Sequence, residues 1–320
     1  MGARLTRREA IYLAGSSLVA LGAGGVLAAC QPAAQATPSG TAATAAPTAA
    51  STTTATESTL AKARRLGYIT AAYTNASPFG FSDRPGNVTG ADIETLRIIL
   101  PKIGIKDQQF TIVPFASLIP GLQAGRFDLL ALSVGILPAR CEQVAFTEPT
   151  QCIGSGFAVL KGNPLGLHSY EDVAKNPNAR LAVVTGGAEG STAKAVGIPD
   201  NRVSAFEGQP QALAALKGGR ADAVALTSMG VVGMLKSAND AALENALPFN
   251  DPIVGGKKAE LCGGFAVRKD DKDFLSALNA EIARMKSDGT LKETYGKFDF
   301  RPEMIPGPEA EHTTANLCKA

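Results

Sequence analysis

Beyond about residue 66 the apolar positions follow two rhythms that take turns along the chain. "RLGYITAAY" reads as a strand, and "TGADIETLRIIL" then places Ile93, Leu96, Ile99 and Leu100 on one helical face. "SLIPGLQAG" is a helix ended by Gly125, followed by "FDLLALSV", a strand apolar enough to be buried on both faces. Further on, "ARLAVVTGG" is a strand entering a glycine turn, "PQALAALKGG" opens a helix with Pro210 at its first position, and "ADAVALT" is another buried strand. Strands alternating with helices predict parallel sheets flanked by helices.

Two stretches of this pattern repeat. "LQAGRFDLLAL", from Leu122, and "LKGGRADAVAL", from Leu216, agree at six of eleven positions. Either any helix, turn and strand joint converges on Gly and Asp, or the chain holds two similarly built α/β lobes. In open parallel sheets ligands bind beyond the carboxyl ends of the strands. Two facing lobes would therefore set "SVGILPAR", with Ser133, and "TSMG", with Thr227, on opposite walls of one cleft. Arg140 closes the first of these stretches, after a buried strand and a proline. Either an acid such as Glu142 or Glu148 pairs with it, or a ligand comes to it.

The first residues break the rhythm. A basic start, "RLTRRE", precedes the apolar run "AIYLAGSSLVALGAGGVLAAC", which is too interrupted by Gly and Ser to favour a permanent spanning helix. Leu27, Ala28, Ala29 and Cys30 form a lipobox in which Cys30 is lipidated, and Arg7 and Arg8 also suit a twin-arginine signal. An uncleaved anchor is the alternative, and either way the protein sits outside the cytoplasm on a membrane. The Ala/Thr/Pro tract that follows holds one charge, Glu57, up to Thr59, and cannot build a core. As a tether it reaches about 30 Å. Residues 1–30 are thus read as leader and 31–65 as linker.

Charge narrows the partners. The formal net charge of +2 is accounted for by the leader, so no nucleic-acid footprint is left. With two histidines, His168 and His312, and no phosphate-loop or metal-ligand spacing, neither cofactor nor metal is expected. If Cys30 is lipidated, Cys141, Cys152, Cys262 and Cys318 remain, and an exported chain permits disulfides in three connectivities. A short local loop favours Cys141 with Cys152, and Cys262 with Cys318 would then pin the tail to the first lobe; buried reduced cysteines are the alternative.

The segments "SLIPGLQAGRFDLLA", "ARCEQVAFTEPT", "LKGNPLGLHSYEDVAKNPNARLAVV" and "CGGFAVRKDDKDF" resemble the solute-binding proteins of ABC importers, in the polar amino acid group. Within that group the chain is most similar to ectoine and hydroxyectoine binders. The resemblance implies an α/β fold of the second periplasmic binding protein type, two lobes joined by a two-strand hinge. Lobe one would be 66–159 with 262–320, and lobe two 160–261. It also implies a non-enzymatic monomer that closes over a small solute and hands it to permease subunits. A dehydratase on the same fold is a minor alternative. So is a sensor domain, which would call for a transmembrane segment after the lobes; none is read before Ala320.

By the same resemblance Arg140 holds the ligand's carboxylate, Phe79 and Phe115 stack on the ligand, and Gly187 and Ala188 supply amide donors at a helix start. Glu189 faces either the ligand's positive end or only its own helix turn. Departures also inform. Amino acid binders commonly carry an aspartate where this chain has Thr227 and Ser228, and ectoine binders an acid at Ala76 and a third ring at Gly135. The ligand implied is a small zwitterion, with an ectoine as leading guess and an ordinary polar amino acid as alternative.

Overall fold

A computed structural model describes residues 57–254, 256–307 and 312–319; the leader with Cys30 and the tether up to residue 56 lie outside them. Two sheets carry the architecture. In the first, of six strands, the order is Asp107–Ile112, Tyr68–Tyr73, Leu129–Gly135, Leu261–Val267, Ala145–Phe146, and Gln151–Ile153 also pairs with Leu261–Val267. The second, of five, runs Val203–Phe206, Leu181–Val184, Ala223–Thr227, Ser155–Leu160, Leu243–Asn245. Each is the centre of one α/β lobe.

The sheets are mixed rather than purely parallel. Tyr68–Tyr73 runs parallel to both its neighbours, because a helix carries the chain back between them. Leu261–Val267 is antiparallel to Leu129–Gly135, and Ser155–Leu160 is antiparallel to Ala223–Thr227. These two reversed strands arrive directly from the other lobe, with no helical crossover to turn them around.

That path corrects the expected boundary of the second lobe. "GFAVL" already belongs to the five-stranded sheet, so the chain crosses at Gly154, not after residue 159. Asp251 explains the position: a Cβ at Gly154 would collide with its carboxylate, which accepts a hydrogen bond from the Ser155 amide at 2.7 Å. The linker also ends earlier than residue 65. Thr59–Leu66 is a helix, capped by the Ser58 hydroxyl and seated by buried Leu60 and Ala63 on the first lobe. One leucine and one alanine in a polar stretch give too little periodicity to be seen in sequence.

The repeated motif is a repeated joint. Gly125 and Gly219 both take left-handed backbone, with φ of 67° and 65°, which glycine adopts without a Cβ penalty. In each joint the arginine amide after the glycine returns to the preceding helix, Arg126 to Gly121 and Arg220 to Ala215. Leu122 and Leu216 are both fully buried. Pro210 stands second in its helix, Gln209–Lys217, rather than first, still within the turn that needs no amide donor from it.

Both disulfides differ from expectation. Cys141 pairs with Cys318 and Cys152 with Cys262. The second follows from strand register, which sets Cys262 directly opposite Cys152, and the first from the final helical turn, Thr314–Leu317, whose Thr314 bonds to Thr147 and Glu148 beside Cys141's lobe. Loop length could not reveal contacts 110 and 177 residues apart.

Candidate functional site

A cavity of about 340 Å³ opens between the lobes, at the strand ends where open α/β sheets bind ligands. Its lining includes Phe79, Phe115, Ser133, Arg140, Gly187, Ala188 and Thr227. All seven residues singled out in the sequence therefore meet in one place.

Arg140 sits in a single helical turn, Pro138–Cys141, that follows the buried strand Leu129–Gly135. Its Nη1 donates to the Gly135 carbonyl and its Nη2 to the Gly186 carbonyl on the opposite lobe, each at 2.8 Å. The guanidinium also lies 5.4 Å from the Phe115 ring centroid, within cation–π range. Among the described residues no carboxylate forms an ion pair with it within 4.0 Å. Glu148 instead accepts from the Thr314 amide. Burial lowers the Arg140 pKa from its ordinary value, and the charge of Glu189 acts the other way. With two of its five N–H donors taken by carbonyls, the guanidinium retains donors and an unneutralised charge.

Behind it stands a buried polar network. Asp92 is fully buried in the first turn of helix Ala91–Lys102. Its Oδ2 accepts from the Ser133 amide at 2.7 Å and the Ser133 hydroxyl at 2.9 Å, and its Oδ1 from the Tyr295 hydroxyl. Tyr295 also meets Thr150 at 2.8 Å. Burial pushes the Asp92 carboxyl up to about 6, against these hydrogen bonds, which pull it down. Ser133 is thus locked from behind by a carboxylate, while Phe79 is held edge-on against Phe300, centroids 5.5 Å apart.

The other wall is mainly backbone. Gly186, at φ 80°, turns the chain from the strand Leu181–Val184 into helix Ala188–Ala195. The Gly187 amide is not free, because it donates to the Val184 carbonyl at 2.9 Å to close that turn. Thr227 caps helix Ser228–Ala238 by accepting from the Gly230 amide, which leaves its hydroxyl proton for a ligand. Burial holds the Glu189 carboxyl above its ordinary value, while its own backbone amide and Arg140 pull it down. The cavity thus carries a cation on one wall and an acid on the other.

Some lining residues escaped the sequence reading. Leu261 fills the space that a side chain at Gly135 would claim, so an aliphatic group stands where a third ring was looked for. Gln151 lines the cavity and is 2 % exposed; its signal is a polar residue opening the otherwise apolar strand Gln151–Ile153. Glu207, Gln209 and Gln211 enter from the loop and helix start after the strand Val203–Phe206. Among the described residues one grouping has metal-ligand character, Glu260, Cys262 and His312, but its sulfur is bonded to Cys152.

The lobes touch around the cleft. Met229 of the second lobe packs into the first lobe's core, a Cβ at Gly233 would collide with the Ser77 carbonyl, and Lys236 meets Asp299 at 2.9 Å.

This arrangement, two α/β lobes gripping a small charged cavity, defines a solute-binding protein. Residues 68–301 match the bacterial extracellular solute-binding proteins, family 3, and the chain belongs to that family. It is 34 % identical over 262 residues to a "Probable amino-acid ABC transporter periplasmic-binding protein" of Sinorhizobium fredii, covering 81 % of this chain and 86 % of that one. A histidine-binding periplasmic protein of Salmonella typhimurium is 27 % identical over 230 residues, covering 70 % of this chain and 84 % of that one. Among solved structures, EhuB in complex with hydroxyectoine matches with a TM-score of 0.72 at 32 % identity, covering 81 % of this chain and 97 % of that chain. The chain is a solute-binding protein of the amino-acid ABC transporter type. Among the described residues no helix is long and apolar enough to cross a membrane.

Proposed function

We propose that the cleft captures a small zwitterionic compatible solute of the ectoine type, delivered to ABC permease subunits by a monomer tethered through lipidated Cys30. The observation that carries this reading is Arg140: a half-buried guanidinium in the wall of a solute-sized cavity, without a carboxylate within ion-pair distance. A ligand carboxylate supplies that partner, and charge-assisted bonds of this kind contribute about 1.5–3 kcal/mol each. Phe79, Phe115 and Leu261 cover the ligand's apolar faces, Thr227 offers a hydroxyl proton while Ser133, whose proton is held by Asp92, offers an acceptor only, and Glu189 faces the ligand's delocalised cation. A matched structural relative holds hydroxyectoine, which favours this class.

A polar α-amino acid is the second reading. Curated relatives are named for amino acids and for histidine, and Glu189 or Glu207 would then receive the ammonium that Thr227 and Ser228 leave unpaired. Capture rather than catalysis is inferred for either ligand, although one matched structure is described as an ancestral amino acid-binding protein and a precursor of cyclohexadienyl dehydratase. A thermal-shift screen separates the readings, since a ligand at 100 times its Kd adds about 2.7 kcal/mol. Ectoines raising the melting temperature supports the first reading; a response to standard amino acids alone transfers the site to the second. No response to either class overturns both.

A further inference from the structure

Leu261 stands at a boundary inside the cleft. Beside the cavity that holds Arg140 lies a second one, of about 270 Å³, and the two share four lining residues, Ala188, Glu189, Thr227 and Leu261. All four are partly exposed, which fits residues that face open space. Leu261 opens the strand Leu261–Val267, and its side chain reaches across to the neighbouring strand. A Cβ at Gly135 would come within 2.7 Å of Leu261 Cδ1 and 2.9 Å of its Cγ. Gly135 borders the first cavity, and Leu137, two residues on, borders the second. The isobutyl group therefore stands where one compartment gives way to the other, and Gly135 contributes no side chain of its own there.

The compartments differ in chemistry. The first has the Arg140 guanidinium and the rings of Phe79 and Phe115 in its walls. The second brings together Ser155, Ser191, Thr192 and Glu260, with no cationic side chain among its described lining residues, so it suits a cationic, hydrogen-bonding tail rather than a second carboxylate. We propose that Leu261 is a specificity-determining residue that sets the length of the solute. A compact zwitterion with its carboxylate on Arg140 fills the first compartment, and Leu261 bars an extended cationic tail from the second. This rests on the reading of the cleft as a solute site and holds for either class of ligand. Apolar walls discriminate by size, since one methylene more or less in such a pocket changes selectivity by about 10–200-fold.

Calorimetric titration of the full chain with ectoine, serine and arginine tests this. Serine and arginine share an α-amino carboxylate and differ in their tails. On the wild type, ectoine or serine should bind more tightly than arginine; arginine as the tightest of the three overturns the assignment without any variant. Leu261→Ala should bind arginine roughly tenfold or more tighter than wild type does, while the compact solutes bind no better than before. Leu261→Val removes a single methylene and suits a strand; it should gain less, and it stands in where Leu261→Ala does not fold, which unfolding without solute decides. A folded Leu261→Ala, or in its place a folded Leu261→Val, with no gain for arginine or an equal gain for all three solutes sinks the role of Leu261 while leaving the cleft intact. If none of the three solutes binds the wild type, the reading of the cleft falls and this assignment falls with it.

Discussion

The wall of the cleft built on the six-stranded sheet and the wall built on the five-stranded sheet solve different problems. On the first, Arg140, Phe79, Phe115 and Ser133 project side chains into the cavity, and Ser133 is held from behind by Asp92 and Tyr295. On the second, a glycine turn and a helix start present backbone, with Thr227 as a capping hydroxyl. Their cores differ in the same sense. The first lobe holds one continuous cluster rich in Leu, Ile and Phe, whereas the second splits into two clusters, one on each side of its sheet, in which alanines are prominent. Side chains that choose a ligand need a rigid frame, whereas the second wall contributes mainly backbone.

The cysteines sharpen this contrast most. Both disulfides belong to the first lobe and close separations of 177 and 110 residues, each worth about 4–5 kcal/mol in the chain-entropy account. Reduction should lower stability by several kcal/mol in urea unfolding. Hydrogen exchange should accelerate around Cys141 and the tail before it does in the strand Leu181–Val184. Equal acceleration in both lobes would remove the contrast.

Asp92 comes next. Its folded pKa of about 6 lies above the ordinary 3.8, so between those values the folded state binds the extra proton and stability falls as pH rises. The loss is on the order of 3 kcal/mol, complete above about pH 6 and absent below about pH 4. Stability curves for wild type and Asp92→Asn should diverge across that window; parallel curves would show that the carboxyl is not desolvated.

Gly233→Ala probes the seal itself. The added methyl would collide with the Ser77 carbonyl across the contact between the lobes, and overpacking of about 1–3 kcal/mol, if it opposes closure over a ligand, translates into roughly 5- to 150-fold weaker ligand binding. The unliganded melting temperature should stay near wild type. Smallest is Lys236→Ala, which removes a pair whose side chains are 73 % and 59 % exposed. A surface pair of this kind contributes at most about 1 kcal/mol, so affinity should stay within about fivefold.

Much of this organisation was legible along the chain because it is local. Strand and helix rhythm, the glycine joints at Gly125 and Gly219, and the apolar run leading to Arg140 all lie within a few residues of what they determine. What depended on distant partners was not. The pairing of Cys141 with Cys318 needs the fold to bring the tail back, and the crossing at Gly154 is set by Asp251. Helix Thr59–Leu66 exists because Leu60 finds the first lobe's core. Leu261 stayed hidden because its place in the cleft is set against Gly135, on a strand far along the chain.

Arg140 offers the most direct measurement. Titration of the best-binding carboxylate solute into wild type and Arg140→Ala, beside the solute's neutral methyl ester as a control, reads its contribution. Losing charge-assisted bonds of about 1.5–3 kcal/mol each should weaken binding by about 100-fold or more. The ester should bind wild type no better than the acid binds the variant. Undiminished affinity of Arg140→Ala for the carboxylate, in a folded protein, would contradict a cleft organised around this guanidinium.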